Sequence, residues 1–188
     1  MADELTGNSG KTAISRSKIS APMRYILGIN PPLKKVFHQG PGREDNPDRE
    51  KLKSIAYGKP IEYDPEHGPD DKSVLRQENC DQAVSIYVLN VLPPKARRRA
   101  ILDIYHTLKS GGVAYIAVRS ERDISQSCDN WEKHEDGYAV SRGKSRNFQK
   151  GYTRESLREE LRKEFVLVEV FDEGGFILAV VTGKANRR

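Results

Sequence analysis

The residues best suited to chemistry are a Gly-Pro-Gly turn and an acid placed a set distance after it. Gly40-Pro41-Gly42 directly follows a short β-prone run, Lys35-Val36-Phe37-His38. Asp64 comes roughly 20 residues later, closing the run Pro60-Ile61-Glu62-Tyr63 just before Pro65. Glycines between a strand and a helix let backbone N–H groups approach a ligand, and an acid ending the next strand accepts hydrogen bonds from ribose hydroxyls. The spacing predicts a nucleoside or dinucleotide site on Gly40, Gly42 and Asp64. A ligand-free tight turn also explains a lone Gly-x-Gly, so the weight falls on the elements that position it.

Those elements alternate. Met23, Ile26 and Leu27, framed by Pro22 and Pro31-Pro32, predict a short helix, and Leu52 and Ile55 predict another from Asp48 to Ile55. Residues 82–89, QAVSIYVL, are nearly all apolar, as a parallel strand covered on both faces should be. Ile101, Ile104, Tyr105 and Leu108 fall at helical spacing after Arg97-Arg98-Arg99, a run read as an exposed face, and Gly111-Gly112 is expected to end that helix. With the apolar run 113–118, residues 82–118 predict a strand, helix, strand unit with a right-handed parallel crossover. Residues 65–80 are polar and turn-rich where doubly wound domains carry a further helix and strand, so a shortened middle is expected. Residues 120–151 read as a long polar loop containing Trp131, either an anchor or a stacking surface. Thr153 then caps a helix carrying Leu157, Leu161 and Phe165, and runs 166–171 and 176–181 flank Asp-Glu-Gly-Gly as an antiparallel hairpin.

Composition sets the frame. A chain of 188 residues with 36% hydrophobic content suits one compact α/β domain, expected over 11–183, with a disordered lead-in at 1–10 and a basic tail at 184–188. Lys and Arg outnumber Asp and Glu 32 to 27, a net charge of +5 that favours a polyanionic partner. Arg142, Lys144, Arg146 and Lys150, interleaved with Phe148 and near Tyr138 and Tyr152, could track a nucleic-acid backbone, or be a solvated basic loop. Cys80, Cys128 and the four histidines lack metal-ligand spacing, so no metal is expected. Gly7 to Thr12 imitates a phosphate loop but lacks its first glycine and preceding strand. With no signal-peptide pattern or membrane-length apolar run, a soluble, cytoplasmic protein is expected.

The strings KTAISRSKISAPMRYIL, VFHQGPGRED, YDP, DQAVSIYVLNVLPPKARRRAIL, LKSGGVAYIAVR and NFQKGYTRESL, together with the terminal hairpin, resemble class I S-adenosylmethionine-dependent methyltransferases. They look like phage and bacterial methyltransferases, including the type associated with DNA phosphorothioation. The resemblance implies a Rossmann-like, mostly parallel sheet with a C-terminal antiparallel hairpin and a shortened middle, and S-adenosylmethionine as cofactor. Matched to the family's turn and strand ends, His38, Gly40, Gly42, Arg43, Asp45, Asp64, Pro65, Tyr87, Val88 and Asn90 are its cofactor-side residues, with Glu62 as an alternative to Asp64 for the ribose. Asn90 is also the catalytic-side candidate. Arg16, Ser17, Arg119, Phe148 and Gln149 are candidates for substrate or lid. His38 stands where the family has an acid and Glu44 where it has a glycine. The family's associations favour DNA or RNA as methyl acceptor. The alternative is a weakly active or inactive accessory protein that senses S-adenosylmethionine or binds nucleic acid. Oligomeric state is left open.

Overall fold

The computed structural model describes residues 17–29, 35–68, 72–76, 80–126, 131–142 and 145–184. The lead-in, the phosphate-loop imitation, Arg16, Cys128, Lys144 and the tail from 185 lie outside the described residues.

In chain order the strands are β1 (Val36–Gln39), β2 (Ile61–Tyr63), β3 (Cys80–Ile86), β4 (Leu108–Arg119), β5 (Glu132–His134), β6 (Gly137–Arg142), β7 (Ser145–Gln149), β8 (Phe165–Asp172) and β9 (Phe176–Lys184). The helices are α1 (Ala21–Ile29), α2 (Pro47–Ile55), α3 (Pro94–Thr107), α4 (Glu121–Ser125) and α5 (Arg154–Leu161). Six strands form one sheet in the order β2-β1-β3-β4-β9-β8, and β5-β6-β7 form a second. The pairs from β2 through β4 are parallel, whereas β9 runs antiparallel to both β4 and β8. This is a Rossmann-like sheet ending in an antiparallel hairpin.

The central strands of the large sheet are covered on both faces, which explains their unbroken apolar runs. On one face Ile101 and Ile104 of α3 and Leu157 and Leu161 of α5 bury Phe37 and Ile116. On the other, Met23 and Ile26 of α1 and Leu52 of α2 cover Val36, Val84 and Leu178. Pro22 lies within the first turn of α1, where a missing N–H costs nothing, and the Ser20 hydroxyl accepts from the Met23 N–H at 3.2 Å. Thr153 caps α5 through a reciprocal pair with Ser156.

Several boundaries differ from expectation. Leu89 belongs to a 3₁₀ turn, Leu89–Val91, because β3 ends at Ile86 and Tyr87 reverses the chain at φ 60°. Helix α3 gives way at Leu108, and Gly111-Gly112 lie inside β4; a Cβ at Gly112 would sit 3.1 Å from the Cys80 carbonyl oxygen of the neighbouring strand. Phe165 starts β8 instead of continuing α5. Between β2 and β3 the described residues form only a 3₁₀ turn, Lys72–Arg76, with Leu75 buried. The sheet therefore ends at β2, without the strand that lies beyond it in a doubly wound 3-2-1-4 order. The largest correction concerns 120–151, where the described residues form helix α4 and the three-stranded sheet instead of a loop.

Candidate functional site

The chain crosses from β1 to β2 on one side and then from β2 back past β1 to β3 on the other, which opens a crevice at the carboxyl ends of β1 and β3. A cavity of about 590 Å³ occupies it. Its floor is the Gly40 to Gly42 turn, one wall is Tyr63 to His67, the opposite wall is Tyr87 to Leu92, and the small sheet closes the far end.

Both glycines of the turn have φ near the left-handed region, 62° at Gly40 and 70° at Gly42. At Gly40 a Cβ would also come within 2.5 Å of Val88 Cγ2, so only glycine fits under that side chain. The Gly40 N–H donates to the Tyr63 carbonyl at 2.9 Å and the Gly42 N–H to Asp64 Oδ2 at 2.9 Å. Asp64 Oδ1 accepts from the Glu66 and His67 N–H groups at 3.0 and 3.1 Å. This buried carboxylate thus ties the turn to the end of β2, and it lines the cavity with one lone pair still free on Oδ2. Glu62 is not on the cavity: it forms a buried two-point pair with Arg49, at 2.9 and 2.7 Å, which holds its carboxyl below the usual range despite burial.

His38 is 2% exposed, and burial depresses its pKa to about 4, against the raising influence of Glu62 and Asp48, so the imidazole is neutral at pH 7. Its Nδ1 has no described partner. Asn46 caps α2, accepting from the Asp48 N–H at 3.1 Å and donating to the Pro41 carbonyl at 2.8 Å, and so presents that helix's N-terminus to the cavity. Gln39 donates to the Ala100 carbonyl at 2.8 Å and accepts from Ser85 Oγ at 2.9 Å, which fixes β1 to α3 and β3. Arg99 and Asp103 of α3 edge the cavity beside the shortened middle, and burial pushes the Asp103 carboxyl up to about 6.

At the far end Asn90 and Asn147 are 1% and 2% exposed, and the side-chain oxygen of each lacks a described partner. The Lys150 N–H donates to the Asn90 carbonyl at 2.8 Å, which seats the small sheet against the 3₁₀ turn. Arg119 Nε donates to Asp123 at 2.6 Å and its Nη1 to Gln149 Oε1 at 3.3 Å. The small sheet is pinned from behind by Arg97. Its Nε meets Glu160 at 2.6 Å and its Nη2 meets Asp136, while Lys150 Nζ bonds Asp136 at 2.7 Å. Arg97 is 2% exposed, so it corrects the reading of Arg97 to Arg99 as a solvated run.

The structure brings His38, Gly40, Gly42, Asp64, Pro65, Tyr87, Val88, Asn90, Arg119 and Gln149 to one cavity. Four residues are not on it. Arg43 and Asp45 are exposed and pair with each other at 3.4 Å, because the chain turns outward after Gly42 and Asn46 takes the inner polar position. Ser17 is exposed on the surface. Phe148 is fully buried behind the small sheet, packed so tightly over Gly137 that a Cβ there would lie 2.6 Å from its ring; it stacks on no ligand. Glu44 is exposed, so this replacement of a glycine crowds nothing. Sequence reasoning missed Asn46, although Asn before Pro is a helix-start pattern. It also missed Asn147, which no local signal marks.

Among the described residues no His, Cys, Asp or Glu cluster could hold a metal ion, and no helix is long and apolar enough to cross a membrane.

No family profile and no curated protein sequence matches the chain. Solved structures do. An S-adenosylmethionine-dependent methyltransferase from Clostridium acetobutylicum matches with a TM-score of 0.57 at 12% identity, over 93% of this chain and 94% of its own. An S-adenosylmethionine-dependent methyltransferase from Thermotoga maritima matches at 0.55 and 16%, over 87% and 88%. The 1,6-didemethyltoxoflavin-N1-methyltransferase of Burkholderia thailandensis, solved with that substrate and S-adenosylhomocysteine, matches at 0.53 and 18%, over 88% and 79%. The fold is that of the class I methyltransferases.

Proposed function

We propose that the protein is an S-adenosylmethionine-dependent methyltransferase whose cofactor lies across the carboxyl ends of β1 and β3. The observation that carries this reading is the Gly40 to Gly42 turn at the switch point of the sheet, tied to Asp64 and roofed by Val88. The residues present suit that cofactor. Asp64 can accept from the ribose hydroxyls, and the Asn46-capped start of α2 suits the methionine carboxylate. Neutral His38 stands in place of the family's acid at the start of the turn. When bound, the sulfonium supplies an electrophilic methyl group. The chain's part is to hold the acceptor in line with it and exclude water, since positioning alone removes much of such a barrier.

The resemblance to phosphorothioation-associated proteins favoured DNA or RNA as acceptor. The described basic residues give that little support, because Arg146 pairs with Glu132 and Lys150 with Asp136 and Glu160. A concave cleft of this volume suits a small molecule better. Calorimetry with S-adenosylmethionine and S-adenosylhomocysteine tests the cofactor; saturable one-site binding is expected, and absence of binding by folded protein would refute it. Labelled methyl groups from the cofactor should then appear in small molecules of a cell extract. Label on added DNA or RNA would restore the nucleic-acid reading, and binding without any transfer would favour the accessory role.

A further inference from the structure

Helix α3 turns one face to the cavity. Ala96, Arg99, Ala100 and Asp103 all line it, and positions 96, 100 and 103 follow the i, i+4, i+7 spacing of a single helical stripe. The Ala100 carbonyl accepts from Gln39 at 2.8 Å, so this stripe lies over the end of β1, where the glycine turn begins. Two alanines in succession leave a smooth shelf there, whereas Ile101 and Ile104 of the same helix fill the core.

The shelf borders the shortened middle of the fold. Among the described residues no strand continues the sheet beyond β2, and the 3₁₀ turn Lys72–Arg76 touches both β2 and α3. Asp103, half-buried, closes the stripe on that side. Thr107 Oγ1 donates to its backbone carbonyl at 2.7 Å, but among the described residues no donor reaches its carboxyl. Burial pushes that carboxyl up to about 6, against the lowering influence of Arg99 and Lys72, so at pH 7 it is mainly ionised and short of hydrogen bonds. A carboxylate in that state is complementary to an N–H group, and hydrogen bonds to a charged acceptor are the stronger kind.

The chemistry of the cofactor says which N–H group this is. Its sulfur and its base are carried on opposite sides of the ribose. With the ribose at Asp64 and the sulfur toward the Tyr87 to Asn90 wall, the base is left for the shelf.

We infer that the α3 shelf is the nucleobase subsite, with the purine against Ala96 and Ala100 and its exocyclic amine donated to the Asp103 carboxylate, which makes Asp103 the residue that selects an aminopurine. The inference rests on the cleft being the cofactor site.

The test is calorimetry near neutral pH with two ligands, S-adenosylhomocysteine and its 6-deamino analogue, in which hydrogen replaces the exocyclic amine. The wild-type protein should bind S-adenosylhomocysteine about tenfold tighter than the analogue. Asp103→Ala should lose that preference by weakening S-adenosylhomocysteine alone, and Asp103→Asn, whose amide oxygen still accepts, should keep it. Equal affinity of the wild-type protein for the two ligands would overturn the inference while the cofactor reading stands. So would an Asp103→Ala variant that weakens both ligands alike, the mark of a merely structural role, or one that keeps the preference. Failure of both ligands to bind folded wild-type protein would overturn the inference and the cofactor reading together. If Asp103→Ala does not fold, the wild-type comparison decides alone.

Discussion

The six-stranded sheet and the small sheet β5-β6-β7 meet at one cavity but are held together differently. In the large sheet Phe37, Val84, Ile116 and Leu178 lie under helices on one face or the other, and stability comes from apolar burial. The small sheet has few apolar side chains. Phe148 packs on one face, and Arg97, Asp136, Lys150 and Glu160 lace the sheet to α3 and α5. The large sheet thus offers a rigid turn and strand ends that suit a constant cofactor. The small one offers a polar, replaceable face, where substrate selection belongs.

The contrast can be broken from either side. The largest effect is expected from Gly40→Val, which must adopt φ 62° and drive a branched Cβ into Val88. Strain and overpacking should cost roughly 2–4 kcal/mol in denaturant melts and abolish S-adenosylhomocysteine binding. Next is His38. A histidine whose folded pKa is about 4 contributes stability that is complete above pH 6.5 and lost as pH falls toward 4, because the unfolded chain takes up its proton first. Urea melts should show a loss of about 3 kcal/mol across that window, much reduced in His38→Asn. Arg97→Met leaves Lys150 as the remaining described cation on Asp136 and Glu160 and should cost about 2 kcal/mol, less than a fully buried pair because Asp136 is partly exposed. Proteolysis should then cut the small sheet first, with cofactor affinity within twofold. Ser85→Ala is the mildest. Without the Ser85 hydroxyl, Gln39 Oε1 has no donor, a loss of about 1 kcal/mol in the same melts.

The same physical difference decided what the sequence revealed. Strands buried on both faces leave runs such as Ala83 to Ile86 and Val113 to Val118, so β3, α3, β4 and the hairpin could be read directly, along with Gly40, Gly42 and Asp64. Glu132 to Gln149 carries no such run. One of its faces lines the cavity and its anchors are ion pairs whose partners lie far along the chain, so it read as a loop. Arg97 was misread for the same reason: Glu160, which buries it, is 63 residues away. Asn90 was visible because it follows a recognisable strand. Asn147 gains meaning only when β7 is folded against it.

A crystal structure of the S-adenosylhomocysteine complex tests the central claim most directly. Its homocysteine should rest on the Gly40 to Gly42 turn, its ribose beside Asp64, and its sulfur toward Asn90 and Asn147. Density for the ligand anywhere else, or a sulfur turned away from the small sheet, would contradict the division of labour between the two sheets.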